Sequence, residues 1–200
     1  MEYRLVLIGF GTVGQGFVEI LRDRNVELTE QFGISYRITG VCDARLGSIH
    51  DPSGFEPEAL LDAVRNGGGL ESLSAIDRGW DAIRMAEESA ADVVVELSFT
   101  DLETGEPATA HVRTALVSGK HVVTTNKGPV ALHYAELADM ARERGLEIGV
   151  EGTVMSGTPT VLNGMNLLRV NSYLQTFIIG AVLIAAIALD QLRLRLSGNR

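Results

Sequence analysis

Cysteine is almost missing. Cys42 is the only one in 200 residues, so the chain can form no internal disulfide. It falls in a strand expected to be buried, 38–42, and reads as a packed thiol rather than a catalytic one. Positive charge is short as well. Seventeen Lys and Arg stand against 26 Asp and Glu, a net charge of −9. That balance argues against a general nucleic-acid binder and against an anionic membrane surface as partner. The histidines His50, His111, His121 and His133 are scattered singly, with no metal spacing such as His-x-x-x-His, and read as surface or packing residues. The N-terminus lacks the basic region and long apolar core of a signal peptide, so cytosolic synthesis is the expectation. The length suits one domain, or one domain and a fragment of another.

What the chain does have is a glycine motif in an informative place. The apolar run Leu5-Val6-Leu7-Ile8 ends in Gly9-Phe10-Gly11-Thr12-Val13-Gly14, and 15–22 reads as a helix. The order is strand, tight turn, helix. Gly9 permits the turn, Gly11 lets backbone approach a pyrophosphate, and Gly14 lets the helix pack close to the strand. The helix N-terminus offers unpaired N–H groups and a positive dipole end to phosphates. The alternative is a merely structural glycine turn. A second strand, 36–42, ends at Asp43. An acid there usually holds the adenosine ribose and favours NAD, although the spacing from Gly14 is longer than the usual fingerprint. Arg45 could hold a 2′-phosphate instead, which favours NADP, and the sequence leaves that choice open. The alternative for Asp43 is a turn or helix-cap residue.

Beyond these, 25–35 reads as polar and irregular and 46–57 as a loop. A short helix, 58–65, is stopped by Gly67-Gly68-Gly69, and 79–90 is helical with Trp80, Ile83 and Met85 as packing residues. The run 92–97 is a buried parallel strand, 98–109 a loop, 110–118 a helix and 120–125 a strand. Asn126-Lys127-Gly128-Pro129 leaves that strand, followed by a helix over 133–144 and a strand over 146–150. The alternation predicts an α/β fold with a doubly wound, mostly parallel sheet and right-handed crossovers. Ligands bind at the carboxyl edge of such sheets. Two segments there carry polar groups. Ser98 and Thr100 lie near the expected nicotinamide end, and Thr124, Thr125, Asn126 and Lys127 leave the neighbouring strand. A lysine so placed can hold a carboxylate, a carbonyl or a cofactor group. The alternative is turn chemistry with a solvated lysine.

Four stretches together resemble homoserine dehydrogenase. They are Gly9-Phe10-Gly11-Thr12-Val13-Gly14-Gln15-Gly16, Glu103-Thr104-Gly105-Glu106-Pro107-Ala108, the run from Gly119-Lys120-His121 through Asn126-Lys127-Gly128-Pro129, and Glu151-Gly152-Thr153-Val154-Met155-Ser156-Gly157-Thr158-Pro159. The resemblance runs to about residue 160. It implies a Rossmann-type NAD(P)-binding domain over 1–160 and an enzyme that interconverts L-homoserine and L-aspartate 4-semialdehyde with NAD or NADP, on the route to threonine, methionine and isoleucine. The turn from Phe10 to Gly14 would hold the cofactor, and Ser98, Thr125 and Lys127 would line the nicotinamide and substrate side. A monovalent cation, usually sodium, would sit on main-chain oxygens involving Glu151, Val154, Ser156 and Thr158. The alternative for that loop is a glycine-rich connection between domains. The family continues into a substrate domain that supplies acidic substrate ligands and a general acid–base lysine. The chain has no lysine after Lys127, so this polypeptide is expected to bind NAD(P) yet oxidise homoserine negligibly. The resemblance leaves a homodimer open, because dimerisation in the family depends largely on other parts.

From about residue 161 the character changes. The stretch 170–189 carries no charge, and ten of its residues are Val, Leu, Ile or Phe. At ~0.3–0.6 kcal/mol each they favour a bilayer by roughly 3–6 kcal/mol, offset in part by Asn171, Ser172, Gln175 and Thr176. The length just suffices to span the hydrocarbon. Residues 161–200 resemble the last transmembrane helix of ribose-type sugar ABC-transporter permeases, which implies a hydrophobic C-terminal helix with membrane contact through 173–192. Arg193, Arg195 and Arg200 would then lie outside, against the positive-inside tendency. The expectation is a dehydrogenase part joined to a foreign end. The alternatives are a non-catalytic NAD(P)-binding module with a membrane-associated tail, another aldehyde-linked NAD(P) dehydrogenase, and a transporter subunit.

Overall fold

A computed structural model describes residues 1–154. The hydrophobic C-terminal helix and permease-like end expected over 161–200 lie outside the described residues. Among the described residues, no helix is long and apolar enough to cross a membrane.

The chain opens with β1 (Glu2–Ile8), α1 (Thr12–Asp23), α2 (Asn25–Phe32), β2 (Ser35–Asp43) and β3 (Gly47–Phe55). Then come α3 (Pro57–Arg65), a 3-10 turn at Leu70–Ser72, β4 (Asp77–Arg78), α4 (Ala82–Glu88) and β5 (Val93–Glu96). It continues with α5 (Ala108–Val117), β6 (His121–Thr124), α6 (Lys127–Arg144), β7 (Ile148–Gly149) and α7 (Glu151–Val154). The strands form one sheet in the order β4-β3-β2-β1-β5-β6-β7. Strands β2, β1, β5, β6 and β7 pair in parallel. The expected doubly wound, mostly parallel α/β sheet is therefore present. Because β2 lies on one side of β1 and β5 on the other, the strand order reverses beside β1. That reversal opens a crevice at the carboxyl ends of β1 and β5.

The alternation of side chains along each strand fills both faces. Val6, Ile8, Val94 and Val122 point to one layer, where Met85 of α4, Val112 and Leu116 of α5 and Leu137 of α6 are buried. Leu5, Leu7, Val41 and Val95 point to the other, against Val18 of α1 and Leu60 and Leu61 of α3. Each buried Leu or Val there contributes about 1.5–3 kcal/mol of apolar burial. Arg4 and Asp92 clasp the amino ends of β1 and β5. The guanidinium donates to both carboxylate oxygens (3.0 and 2.6 Å), and the Arg4 N–H adds a third bond at 2.8 Å.

Four segments differ from the sequence reading. Residues 47–55, expected to be a loop, form β3, antiparallel to β2. Gly47, Pro52 and Gly54 read as turn residues, but a register shift beside Ile38 absorbs the extra length, and Ile49 and His50 are buried. Residues 25–32, expected to be irregular, form α2. It buries nothing, so no apolar stripe announced it, and Gly33 in the left-handed region (φ 63°) ends it. Helix α4 starts late, at Ala82, where the Asp81 carboxylate accepts from the Arg84 N–H at 2.7 Å. Trp80, just before the helix, and Met85, within it, are buried as expected, whereas Ile83 is exposed. Helix α6 begins six residues early, with Pro129 inside its first turn, where a missing N–H leaves no intrahelical bond unmade.

Candidate functional site

The carboxyl end of β1 turns through the glycine motif. Gly9 has φ +99°, and its N–H donates to the Cys42 carbonyl at 2.7 Å. A Cβ on Gly9 would lie 2.6 Å from the Leu97 carbonyl, and one on Gly14 would lie 2.6 Å from the Gly9 carbonyl. Backbone therefore fills the space beside both. Gly11 differs, since nothing lies within 4 Å of where its Cβ would be. It is the N-cap of α1 and has no side chain to satisfy the helix N–H groups, which stay available to an anion.

A cleft of ≈ 910 Å³ opens here, with walls that include Gly9, Gly11, Thr12, Asp43, Arg45 and Ser98. Its size suits a dinucleotide. Phe10, Val13 and Gly14 take no part in its walls. The Phe10 side chain is fully buried in the core, and its contribution is an N–H that donates to Asp43 Oδ2 at 2.8 Å. Asp43 Oδ1 accepts from the N–H groups of Arg45 (2.8 Å) and Leu46 (3.1 Å). The carboxylate thus closes its own turn and braces the glycine turn, as its turn-residue alternative anticipated, while still bordering the cleft. Arg45 is exposed beside it, and no carboxylate pairs with it among the described residues.

The nicotinamide side is only partly as expected. Ser98 lines the cleft; Thr100, Thr125, Asn126 and Lys127 do not. Thr100 Oγ1 donates back to the Gly105 carbonyl at 2.9 Å, inside its own loop. Lys127 is exposed at the start of α6. The Asn126 amide donates to the Ser98 carbonyl at 2.8 Å and to Glu96, so this N-cap residue does not cap its helix. Glu96 was passed over in the sequence because it ends an apolar run. Its carboxyl is completely buried and meets Ser98, Thr124, Asn126 and His111. The visible signal was a charged residue closing Val93-Val94-Val95. His111, expected at the surface or in packing, is buried and borders the cleft.

The other histidines serve packing or local bonds. His50 stacks on Trp80 with centroids 4.5 Å apart and meets Asp77 Oδ2 at 3.0 Å. His121 Nδ1 accepts from the Glu147 N–H at 3.1 Å, and His133 Nε2 lies 3.1 Å from the Thr104 carbonyl. Burial pushes the Cys42 thiol up, away from the reactive thiolate. Among the described residues, no group of three His, Cys, Asp or Glu could hold a metal ion. Of the four expected cation ligands, Glu151 and Val154 belong to the single helical turn of α7, and Ser156 and Thr158 lie outside the described residues.

A reversing parallel sheet, a glycine turn packed solid except at Gly11, and a bare helix end over a cleft define a dinucleotide-binding α/β domain. Residues 9–151 match the homoserine dehydrogenase NAD binding domain, and the chain belongs to that family. It is 40% identical over 162 residues to an NAD(+)-dependent homoserine dehydrogenase of Pseudomonas canavaninivorans, covering 80% of this chain and 46% of the relative. It is 31% identical over 157 residues to a homoserine dehydrogenase of Methanocaldococcus jannaschii, again covering 46% of that protein. The chain spans about half the length of the curated relatives it matches. Among solved structures it is similar to a hyperthermophilic archaeal homoserine dehydrogenase in complex with NADPH, with a TM-score of 0.65 and 29% identity over 80% of this chain and 47% of that one. The family match ends at residue 151, so the permease reading of 161–200 draws no support from it.

Proposed function

We propose that this chain holds NAD(P) for the homoserine dehydrogenase reaction, L-homoserine and NAD(P)+ giving L-aspartate 4-semialdehyde and NAD(P)H. The observation that carries the reading is the contrast within one turn: backbone crowds Gly9 and Gly14, while Gly11 faces open space under the N–H groups of α1. A pyrophosphate needs that combination. NAD(P), when bound, supplies hydride exchange at its nicotinamide. The protein's own residues bind and orient it. The α1 N-terminus takes the phosphates, and Ser98 borders the far end of the cleft. Proton transfer to and from the substrate oxygen falls, by the family resemblance, to a lysine of the family's substrate domain.

The chain therefore binds NADH or NADPH. Fluorescence titration with NADH and NADPH tests this, and absence of binding by either dinucleotide would sink the reading. Asp43 bears on which dinucleotide is preferred. With its oxygens taken by three N–H groups and Arg45 exposed at the cleft, a 2′-phosphate has a cationic partner there. By the family resemblance a monovalent cation site and a homodimer belong to the same proposal, and by the permease resemblance so does membrane contact through 173–192.

A further inference from the structure

We propose that Glu96 is a positioning residue for the nicotinamide side of the cleft. The inference rests on the NAD(P)-binding reading above. Glu96 ends β5, between Ile8 of β1 and Thr124 of β6. Its carboxyl is wholly buried, and both oxygens are engaged. Oε1 accepts from the Ser98 hydroxyl and from the Ser98 N–H at 3.3 Å, and lies 3.2 Å from His111 Nδ1. Oε2 accepts from the Asn126 amide, and from the Thr124 hydroxyl at 3.4 Å. One side chain so ties together the exit of β5, the β6–α6 junction and α5. Two of the groups it holds, Ser98 and His111, border the cleft. The peptide between Leu97 and Ser98 is also the surface on which Gly9 packs, within 2.6–2.7 Å of its missing Cβ.

A buried carboxyl is costly unless fully hydrogen-bonded, and an apolar side chain would serve the sheet interior better. What the carboxyl adds is direction. It draws the Ser98 hydroxyl, which also lies 3.2 Å from the Phe99 carbonyl, toward Oε1, and through the Asn126 amide it holds the Ser98 carbonyl. With these groups preset, the nicotinamide end meets a formed wall rather than one it must order on arrival.

The test compares NADH with ADP-ribose, which lacks the nicotinamide, by calorimetry on the full 200-residue chain. Wild-type protein binds NADH more tightly than ADP-ribose. Glu96→Gln keeps the shape but sets an amide against the Asn126 amide. It is expected to bind ADP-ribose within about twofold of wild type while the NADH advantage shrinks about fivefold, the size of one hydrogen bond. Ser98→Ala, which leaves the buried carboxyl in place, loses the same advantage, and the double variant loses no more than either single one. A parallel loss of both ligands in Glu96→Gln, or an unchanged ratio in Ser98→Ala, overturns the proposal. If wild type binds both ligands equally, the proposal falls while the nucleotide reading stands. If it binds neither, both fall.

Discussion

The two ends of the cleft are built by opposite means. At the phosphate end the protein works by leaving atoms out. Gly9 and Gly14 let backbone meet backbone, and Gly11 with the uncapped start of α1 leaves room and donors for an anion. At the other end it works by burying a charge-bearing group, Glu96, and hanging polar side chains from it. The first device is local: Gly9 and Gly14 admit no added atom, and Gly11 keeps open the space a phosphate would take. The second spans β5, α5 and the β6–α6 junction and depends on every partner being present.

The largest expected effect separates two glycines of the same turn. Gly9→Ala puts a methyl 2.6 Å from backbone at φ +99°, and should destabilise the fold by about 2–4 kcal/mol, read as a fall in chemical-denaturation midpoint. Gly11→Ala has an ordinary φ of −71° and no neighbour within 4 Å. It should leave the midpoint nearly unchanged while NAD(P)H affinity falls by on the order of tenfold, since only the bound phosphate would meet the methyl. Equal stability losses in the two variants would erase the distinction.

Asn126→Ala probes the second device. It strips a donor from Glu96 and from the Ser98 carbonyl, and should cost about 1–3 kcal/mol in denaturant unfolding. Arg45→Ala should reduce the NADPH-to-NADH affinity ratio by about five- to tenfold and leave NADH binding little altered, because only a 2′-phosphate calls on the guanidinium. Competitive titration of the two dinucleotides reads it directly.

The smallest effect lies at the opposite edge of the sheet. The Arg4 guanidinium holds the Asp92 carboxyl below the usual carboxylate range, by its hydrogen bonds first. A depressed native value means the clasp stabilises the fold fully above the ordinary carboxylate value, about pH 4, and that the stabilisation fades as pH falls below it. Both side chains are partly exposed, at 46% and 32%, so the contribution is about 1 kcal/mol or less. Arg4→Met should therefore flatten the acid limb of a stability-versus-pH curve slightly and leave both ends of the cleft untouched.

The contrast also explains what the sequence made legible. Gly9, Gly11 and Gly14 announce themselves because their spacing at a strand–helix junction has few other uses. The strands β1, β5 and β6 and the sheet type followed from apolar runs. Glu96 and His111 did not, because what makes them matter is who surrounds them, and those partners lie up to 30 residues away. Thr100 and Lys127 stood at the right strand ends, but a strand end does not say which way a hydroxyl or an ammonium turns. Strand β3 was hidden by turn-forming residues that a register shift accommodates, and α2 by having no buried face to reveal its period.

The margins of the sheet carry a consequence of their own. Seven strands make a wide template, yet β4 and β7, at its two ends, are two residues long. At the β4 margin the Arg78 guanidinium also reaches back to the carbonyls of Glu71 and Leu73, each at 2.6 Å. A foreign strand seeking to extend the ladder finds too few free donors and acceptors on β4 or β7 to hold its register. Among the described residues, then, the tapering of the sheet guards against its growth from one molecule into the next.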